Sequence, residues 1–373
     1  MIKRTIQSEI EAKLFQGRII VIYGTRRVGK TTLGKVILEK YEDTLYLNCD
    51  EPDVREALTH KTSTELLRFI GQKKVVLIDE AQRVLDIGIT LKLLVDTAPD
   101  IQIIATGSSS FDLANRISEP LTGRKYEFFL FPFSLEEIET SSSTMETKRV
   151  IDDLLIHGSY PMIYTDTRDR VTRLKELIGG YLFHDILTYE TLRRPELLER
   201  ILKALALQIG SEVSYTEIAN LVGTDKNTVS RYIELLEKAF VIFRLPSFAR
   251  NLRNELKKAQ KIYFVDLGIR NAILGNFTPI DARTDMGALF ENFCVLERRK
   301  YLFDHEIHAS MYFWRTQTQQ EIDYIEEKNG LLQTFEFKYR NSKAKLPKIF
   351  SETYPMSGFQ TITKENILDI YAK

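Results

Sequence analysis

The stretch GTRRVGKT, Gly24 to Thr31, constrains this chain more than any other eight residues in it. It follows the apolar run IIVIY and opens a segment, TLGKVILEKY, with helical periodicity. Strand, glycine loop and helix in that order match G-x-x-x-x-G-K-[ST], the Walker A or P-loop pattern. Gly24 and Gly29 let the backbone turn its N–H groups inward as an anion nest. The helix N-terminus adds partial positive charge beneath them. The loop therefore reads as a phosphate cradle lined by Gly24, Thr25, Arg26, Arg27, Val28, Gly29, Lys30, Thr31 and Thr32. Lys30 is expected to reach the β- and γ-phosphates, and Thr31 to offer its hydroxyl to Mg²⁺. ATP is the expected nucleotide, and the pattern leaves GTP open.

A second motif follows 48 residues after Thr31, where KKVVLIDEAQR carries a continuously apolar strand ending in Asp79 and Glu80. Continuous apolarity is the mark of a strand buried on both faces of a parallel sheet. An acid at the strand's carboxyl end is placed to hold Mg²⁺ opposite Thr31, and Glu80 next to it could polarise the attacking water. Two further strands, TLYLNCD and IQIIATGSSS, suit the same sheet, the latter ending where Ser108 could sense the γ-phosphate. LTGRKYEFFLFPFS supplies a fifth strand behind Arg124. Arg124 is a candidate finger, in cis or from a neighbouring subunit, which makes a homo-oligomer one of the expected states. Arg26 and Arg27 are candidates for a lid over the phosphates.

GTRRVGKTT, LIDEAQ, ATGSSS, LTGR and FPFS, in this order, resemble the prokaryotic AAA-type ATPases related to the archaeal ATPase family. HGSYPMIY (His157 to Tyr164) and the C-terminal segments fit the layout of that family as well. The resemblance implies an extra strand between the P-loop strand and the Asp79 strand, and Glu80 as catalytic base. It names an activity, ATP hydrolysis, better than a biological role.

Composition excludes little but excludes it clearly. Lys plus Arg equals Asp plus Glu at 52 each, so charge must be read locally. No apolar run approaches membrane length, and the N-terminus MIKRTIQSEIEAKL lacks the apolar core of a signal peptide. The expectation is a cytoplasmic protein with no membrane partner. Cys49 and Cys294 stand alone, and His305 and His308 have nothing nearby to complete a zinc site.

Residues 141–205 read as helices, by analogy the small lid of an AAA-type module, with SSSTMETK as a flexible link. SEVSYTEIANLVGTDKNTVSRYIELLEKAFVIFRL has helix-turn-helix spacing: a cap at Ser214 or Thr216, a turn at GTD, and a second helix from about Asn227. Lys226, Asn227, Thr228, Ser230 and Arg231 at its start are side chains of the types that contact phosphates and base edges. Two strands joined by a basic connection follow, as in a winged helix. Between Arg200 and Arg270, twelve Lys/Arg face seven Asp/Glu, an excess that suits DNA. Packing or protein interaction is the competing use of such a module.

In EIDYIEEKNGLLQTFEFKYR, Asn329-Gly330 between alternating runs marks a type I′ hairpin. That turn pairs Lys328 with Leu331 and sets Asp323 opposite Glu336, with Glu336, Lys338 and Asp323 on one face and Phe335, Phe337 and Tyr339 on the other. Two facing carboxylates repel. Either Lys338 pairs across to Glu321, or Asp323 and Glu336 hold Mg²⁺ with Lys338 activating water. With Glu291 on an upstream helix, the set resembles the PD-(D/E)xK nuclease fold residue for residue, the usual proline before the first acid being absent. The resemblance implies Glu291, Asp323 and Glu336 as metal ligands, and Asp323, Glu336 and Lys338 as catalytic.

The expected fold class is thus α/β: a P-loop NTPase (AAA-type) core at 1–140, a helical lid at 141–205, a winged helix at 206–275 and a restriction-endonuclease-like domain at 276–373. The expected function is Mg²⁺-dependent ATP hydrolysis coupled to a nucleic-acid-binding module, with metal-dependent cutting as one reading and a nucleotide-switched regulatory or DNA-binding protein as the other.

Overall fold

The protein is described by a computed structural model covering residues 2–107, 117, 120–182, 194–248, 260–316 and 318–371. The chain forms two compact units, Met1–Phe131 with Lys238–Phe240, and Pro132–Glu237 with Val241–Lys373.

The first unit is built on five parallel strands: β1 (Ile19–Tyr23), β2 (Thr44–Asn48), β3 (Val75–Asp79), β4 (Gln102–Gly107) and β5 (Lys125–Phe129). Their spatial order is β2-β3-β4-β1-β5. β1, β3 and β4 are buried along their whole length, as strands covered by helices on both faces must be. The helix Lys30–Leu38 packs on β3 and β4, with Gly34 against Leu77, where a Cβ would lie 2.7 Å from Leu77 Cδ2. β4 lies between β1 and β3, the inserted strand that the family resemblance implies. The P-loop, Asp79 and Thr106 consequently come together at the carboxyl edge of the sheet, where α/β folds bind ligands.

The second unit begins with two helices that carry full capping boxes. Ser134 and Glu137 start Leu135–Ser141, and Ser143 and Glu146 start Thr144–His157. SSSTMETK is therefore not a flexible link but the end of one helix and the cap of the next. Ser143-x-x-Glu146 is the capping-box signature, which satisfies two orphan N–H groups reciprocally.

Helix Pro195–Leu207 leads into β6 (Glu212–Val213), helix Tyr215–Val222, helix Lys226–Lys238, β7 (Ile242–Pro246) and β8 (Gln260–Phe264). The strands form an antiparallel sheet in the order β6-β8-β7. Ser214 caps the first helix of the pair, Gly223 ends it at φ 73°, and Asp225 accepts from the Asn227 and Thr228 N–H groups to start the second.

Further along, helix Met286–Asp304 packs on a four-stranded sheet of β9 (Ser310–Arg315), β10 (Glu321–Lys328), β11 (Leu331–Lys338) and β12 (Gly358–Thr363). The sheet order is β12-β11-β10-β9, with β12 parallel to β11 and the other pairs antiparallel. Asn329 and Gly330 both have positive φ (53° and 78°), the type I′ geometry, and the ladder runs from Lys328↔Leu331 to Tyr324↔Phe335 as the turn requires. β10, however, has no solvated face: Ile322, Asp323, Tyr324, Ile325 and Glu326 are all buried. Arg298 neutralises Glu326 there through a bidentate pair at 2.6 and 2.9 Å.

A polar core ties HGSYP to the helix Leu267–Leu274. Asp266 caps that helix through the Ile269 N–H (3.0 Å) and accepts the Ser159 N–H (2.8 Å). Gly158, at φ 75°, must be glycine, since a Cβ would lie 2.1 Å from Asp266 Oδ1. Asn271 Nδ2 donates to the Leu155 and Ile156 carbonyls, both at 2.9 Å, closing the end of the preceding helix.

Candidate functional site

In the first unit, Asp79 is the hub. Its carboxylate is buried at the end of β3 and accepts three hydroxyls: Thr31 Oγ1 (3.0 and 2.8 Å to the two oxygens), Tyr46 OH (3.0 Å) and Thr106 Oγ1 (2.5 Å). Burial, and then the charge on Asp79, push the Tyr46 phenol above its usual range, so it remains a donor. The first position of the Lys30–Leu38 helix is Lys30, whose ammonium donates to the carbonyls of Gly24 (2.8 Å) and Thr25 (2.9 Å). Gly24 sits against the backbone after β5, where a Cβ would lie 2.4 Å from the Leu130 carbonyl oxygen. Gly29 precedes the helix at φ 98°, and Arg27 also has positive φ (65°). Arg26 is half-buried, while Arg27 and Thr32 are exposed.

Glu80 follows Asp79 in the left-handed region (φ 52°), its N–H donating to Thr106 Oγ1 at 3.2 Å and its carboxylate held by the Gln82 side-chain amide. A carboxylate fixed this way is oriented without being neutralised. The Thr31 hydroxyl against the Asp79 carboxylate forms a set of hard oxygen donors, which suits Mg²⁺.

Two residues here carry no local sequence signal. Arg4, buried, donates to the Val28 carbonyl (2.8 Å) and the Phe131 carbonyl (2.6 Å), bracing the P-loop against the chain after β5. Tyr46 reaches Asp79 from the neighbouring strand β2. Ser108 lies outside the described residues.

Arg124 is not brought to this site. It precedes β5, its carbonyl accepts the Ile19 N–H, and its guanidinium pairs with Asp96 at 2.6 Å. Ile19 is the first residue of β1 and the P-loop follows the last, so Arg124 stands at the opposite edge of the sheet. A strand of five residues spans roughly 16 Å, and a finger role in cis is thereby ruled out.

In the second unit, the acids expected to hold metal meet a lysine. Lys261, on β8, is 1% exposed, and its ammonium lies 2.8 Å from Glu291 Oε1 and 2.5 Å from Glu321 Oε1. Tyr263, two residues on, donates to the same Glu291 oxygen at 2.6 Å. Asp323 accepts the Phe337 N–H at 2.8 Å, and Glu336 pairs with Lys338 at 2.7 Å. The alternative pair of Lys338 with Glu321 does not form, because Glu321 is taken by Lys261 and lies near Arg315 (3.8 Å). Burial, then the charges of Glu291 and Glu336, raise the Asp323 carboxyl far above the usual range. Among the described residues, no three acid, histidine or cysteine side chains are grouped to hold a metal ion. Glu291, Asp323 and Glu336, the acids expected to hold Mg²⁺, each accept from a protein donor in this structure.

Residues 16–139 match the family described as AAA domain. Together with the parallel sheet and its P-loop, the match places the first unit in the class of ATP-binding P-loop ATPases. Residues 148–279 and 286–370 match two domains of unknown function, DUF8612 and DUF4143. Among similar proteins are an uncharacterized protein of Mycobacterium tuberculosis, 26% identical over 341 residues and covering 90% of this chain and 74% of the relative. An uncharacterized protein of Methanocaldococcus jannaschii is 26% identical over 412 residues, covering 98% of this chain and 90% of the relative. The Walker-type ATPase of Pyrococcus abyssi is a solved structure with 17% identity and TM-score 0.48, covering 74% of this chain and 96% of that chain. No helix among the described residues is long and apolar enough to cross a membrane.

Proposed function

We propose that the chain hydrolyses ATP with Mg²⁺ and uses the nucleotide cycle to control a nucleic-acid-binding C-terminal region. The observation that carries the reading is the Asp79 carboxylate held against the Thr31 hydroxyl at the carboxyl edge of the sheet. In this mechanism the P-loop N–H groups and Lys30 bind the β- and γ-phosphates, and Thr31 and Asp79 would hold a Mg²⁺ ion, which would supply charge neutralisation at the phosphates. Glu80, oriented by Gln82 and Thr106, positions the attacking water and takes up its proton. Arg26 and Arg27 close over the phosphates, and any finger arginine comes from another subunit, for which Arg124 remains the candidate. The test is Glu80→Gln. ATP binding should persist while turnover falls by about 10²-fold or more, and wild-type turnover in that variant would overturn the assignment.

DNA is the partner we propose for the second unit, read as a winged helix followed by a nuclease-like sheet. Support comes from the β6-β8-β7 order around the helix pair, and from Lys226 and Asn227 exposed at the start of its second helix. Duplex binding should weaken with salt and with Lys226→Ala/Asn227→Ala. Binding unaffected by both would place the contact elsewhere.

A further inference from the structure

We propose that Lys261 is a built-in cation standing where a divalent metal would sit among Glu291, Glu321 and Asp323, so that this nuclease-like site takes no metal and does not cut. The inference rests on reading this sheet as nuclease-like, and it is tested without nucleotide, so its failure and the failure of ATP hydrolysis are separable.

The lysine is not an incidental neighbour. Its strand, β8, is paired on both sides at this very residue, to Glu212 of β6 and Leu245 of β7, which fixes where the stem starts. The stem runs past the Phe313 ring, with the ammonium 5.5 Å from its centroid. Glu291 and Asp323 each commit one carboxylate oxygen to protein donors. Glu291 Oε1 accepts from both Lys261 and Tyr263, while Asp323 Oδ2 is engaged by the Phe337 N–H. A divalent ion among these carboxylates would stand beside a fixed positive charge in a poorly solvated site, where like charges repel strongly. The ammonium, with three donors, pairs directly with Glu291 and Glu321 without a metal. The same contact ties β8 to the helix Met286–Asp304 and to β10, so the ammonium also serves as a latch between the two sheets of this unit.

The experiment is Mn²⁺ binding to the full, nucleotide-free chain, followed by electron paramagnetic resonance and by the Mn²⁺-induced change in Tm, with Asp323→Asn marking signal from this site. Wild type should show no Asp323-dependent binding. Lys261→Met, similar in length and uncharged, should lower Tm without metal, gain an Asp323-dependent site about tenfold or more tighter than any in wild type, and recover Tm when Mn²⁺ is added. Asp323-dependent Mn²⁺ binding by wild type overturns the proposal, and that arm stands even if Lys261→Met does not fold. A folded Lys261→Met that gains no site overturns it as well.

Discussion

Asp79→Asn changes one oxygen to nitrogen at the point where Thr31, Tyr46 and Thr106 converge. As a carboxylate, Asp79 accepts all three hydroxyls at 2.5–3.0 Å. An amide offers one oxygen acceptor and an NH₂ that only donates, so at least one hydroxyl must turn round or lose its partner. Hydrogen bonds to a charged group contribute about 1.5–3 kcal/mol each, and losing one or two of them costs on the order of 2–4 kcal/mol. For a unit of this size that lowers Tm by roughly 5–15 °C. The effect on catalysis is separate: loss of the metal-holding charge should reduce kcat by about 10²–10³. The assay pairs steady-state phosphate release, titrated with Mg²⁺, with thermal melts of the same protein. Tyr46→Phe is the control, since it removes one of the three hydrogen bonds and no charge. It should lose about 4–11 °C on the same scale and keep turnover within a few-fold. An Asp79→Asn protein with wild-type kcat and Mg²⁺ dependence would refute the assignment, and equal catalytic losses in Asp79→Asn and Tyr46→Phe would show that packing, not metal binding, is at stake.

Gly158→Ala should destabilise the second unit by about 3 kcal/mol or more in denaturant unfolding, because its Cβ would displace a buried carboxylate from the Ser159 N–H at a φ that alanine disfavours. Asp266 also sets a pH dependence. Burial, opposed by N–H bonds from Ser159 and Ile269, raises its carboxyl from 3.8 to about 6. The unfolded chain therefore loses this proton first, and stability should decline as pH rises from about 4 to about 6 and then level, by on the order of 3 kcal/mol. Asp266→Asn, unfolded by urea across the same range, should lack that decline, and an unchanged slope would contradict the assignment.

Much of the nucleotide site was legible because its signals are local. Gly24, Gly29, Lys30 and Thr31 fall within one loop, and the apolar run before Asp79 announces a buried parallel strand. The hairpin was legible down to register, since Asn329-Gly330 dictates which residues pair. What lay hidden depended on long-range contacts. Lys261 comes to Glu291 across 30 residues, and the sign available in the sequence was a lysine inside the apolar run KIYFV. Burial of β10 on both faces hid as well, because IDYIEE reads as an alternating, half-solvated strand, while Phe248 and Phe350 pack with Ile322 and Ile325 and Arg298 of the Met286–Asp304 helix covers Glu326. Arg124 misled for a topological reason: parallel strands place the residue before β5 at the edge away from the P-loop. Ser143 and Glu146 were readable as a cap, yet the polar content of their segment suggested a linker.

Release of inorganic phosphate from MgATP by the purified chain, wild type beside Lys30→Ala, tests the central claim most directly. Wild type should turn over only with Mg²⁺ present, and Lys30→Ala, which removes the ammonium held over the Gly24 and Thr25 carbonyls, should release no phosphate above the protein-free rate. Equal release by the two proteins would contradict the account.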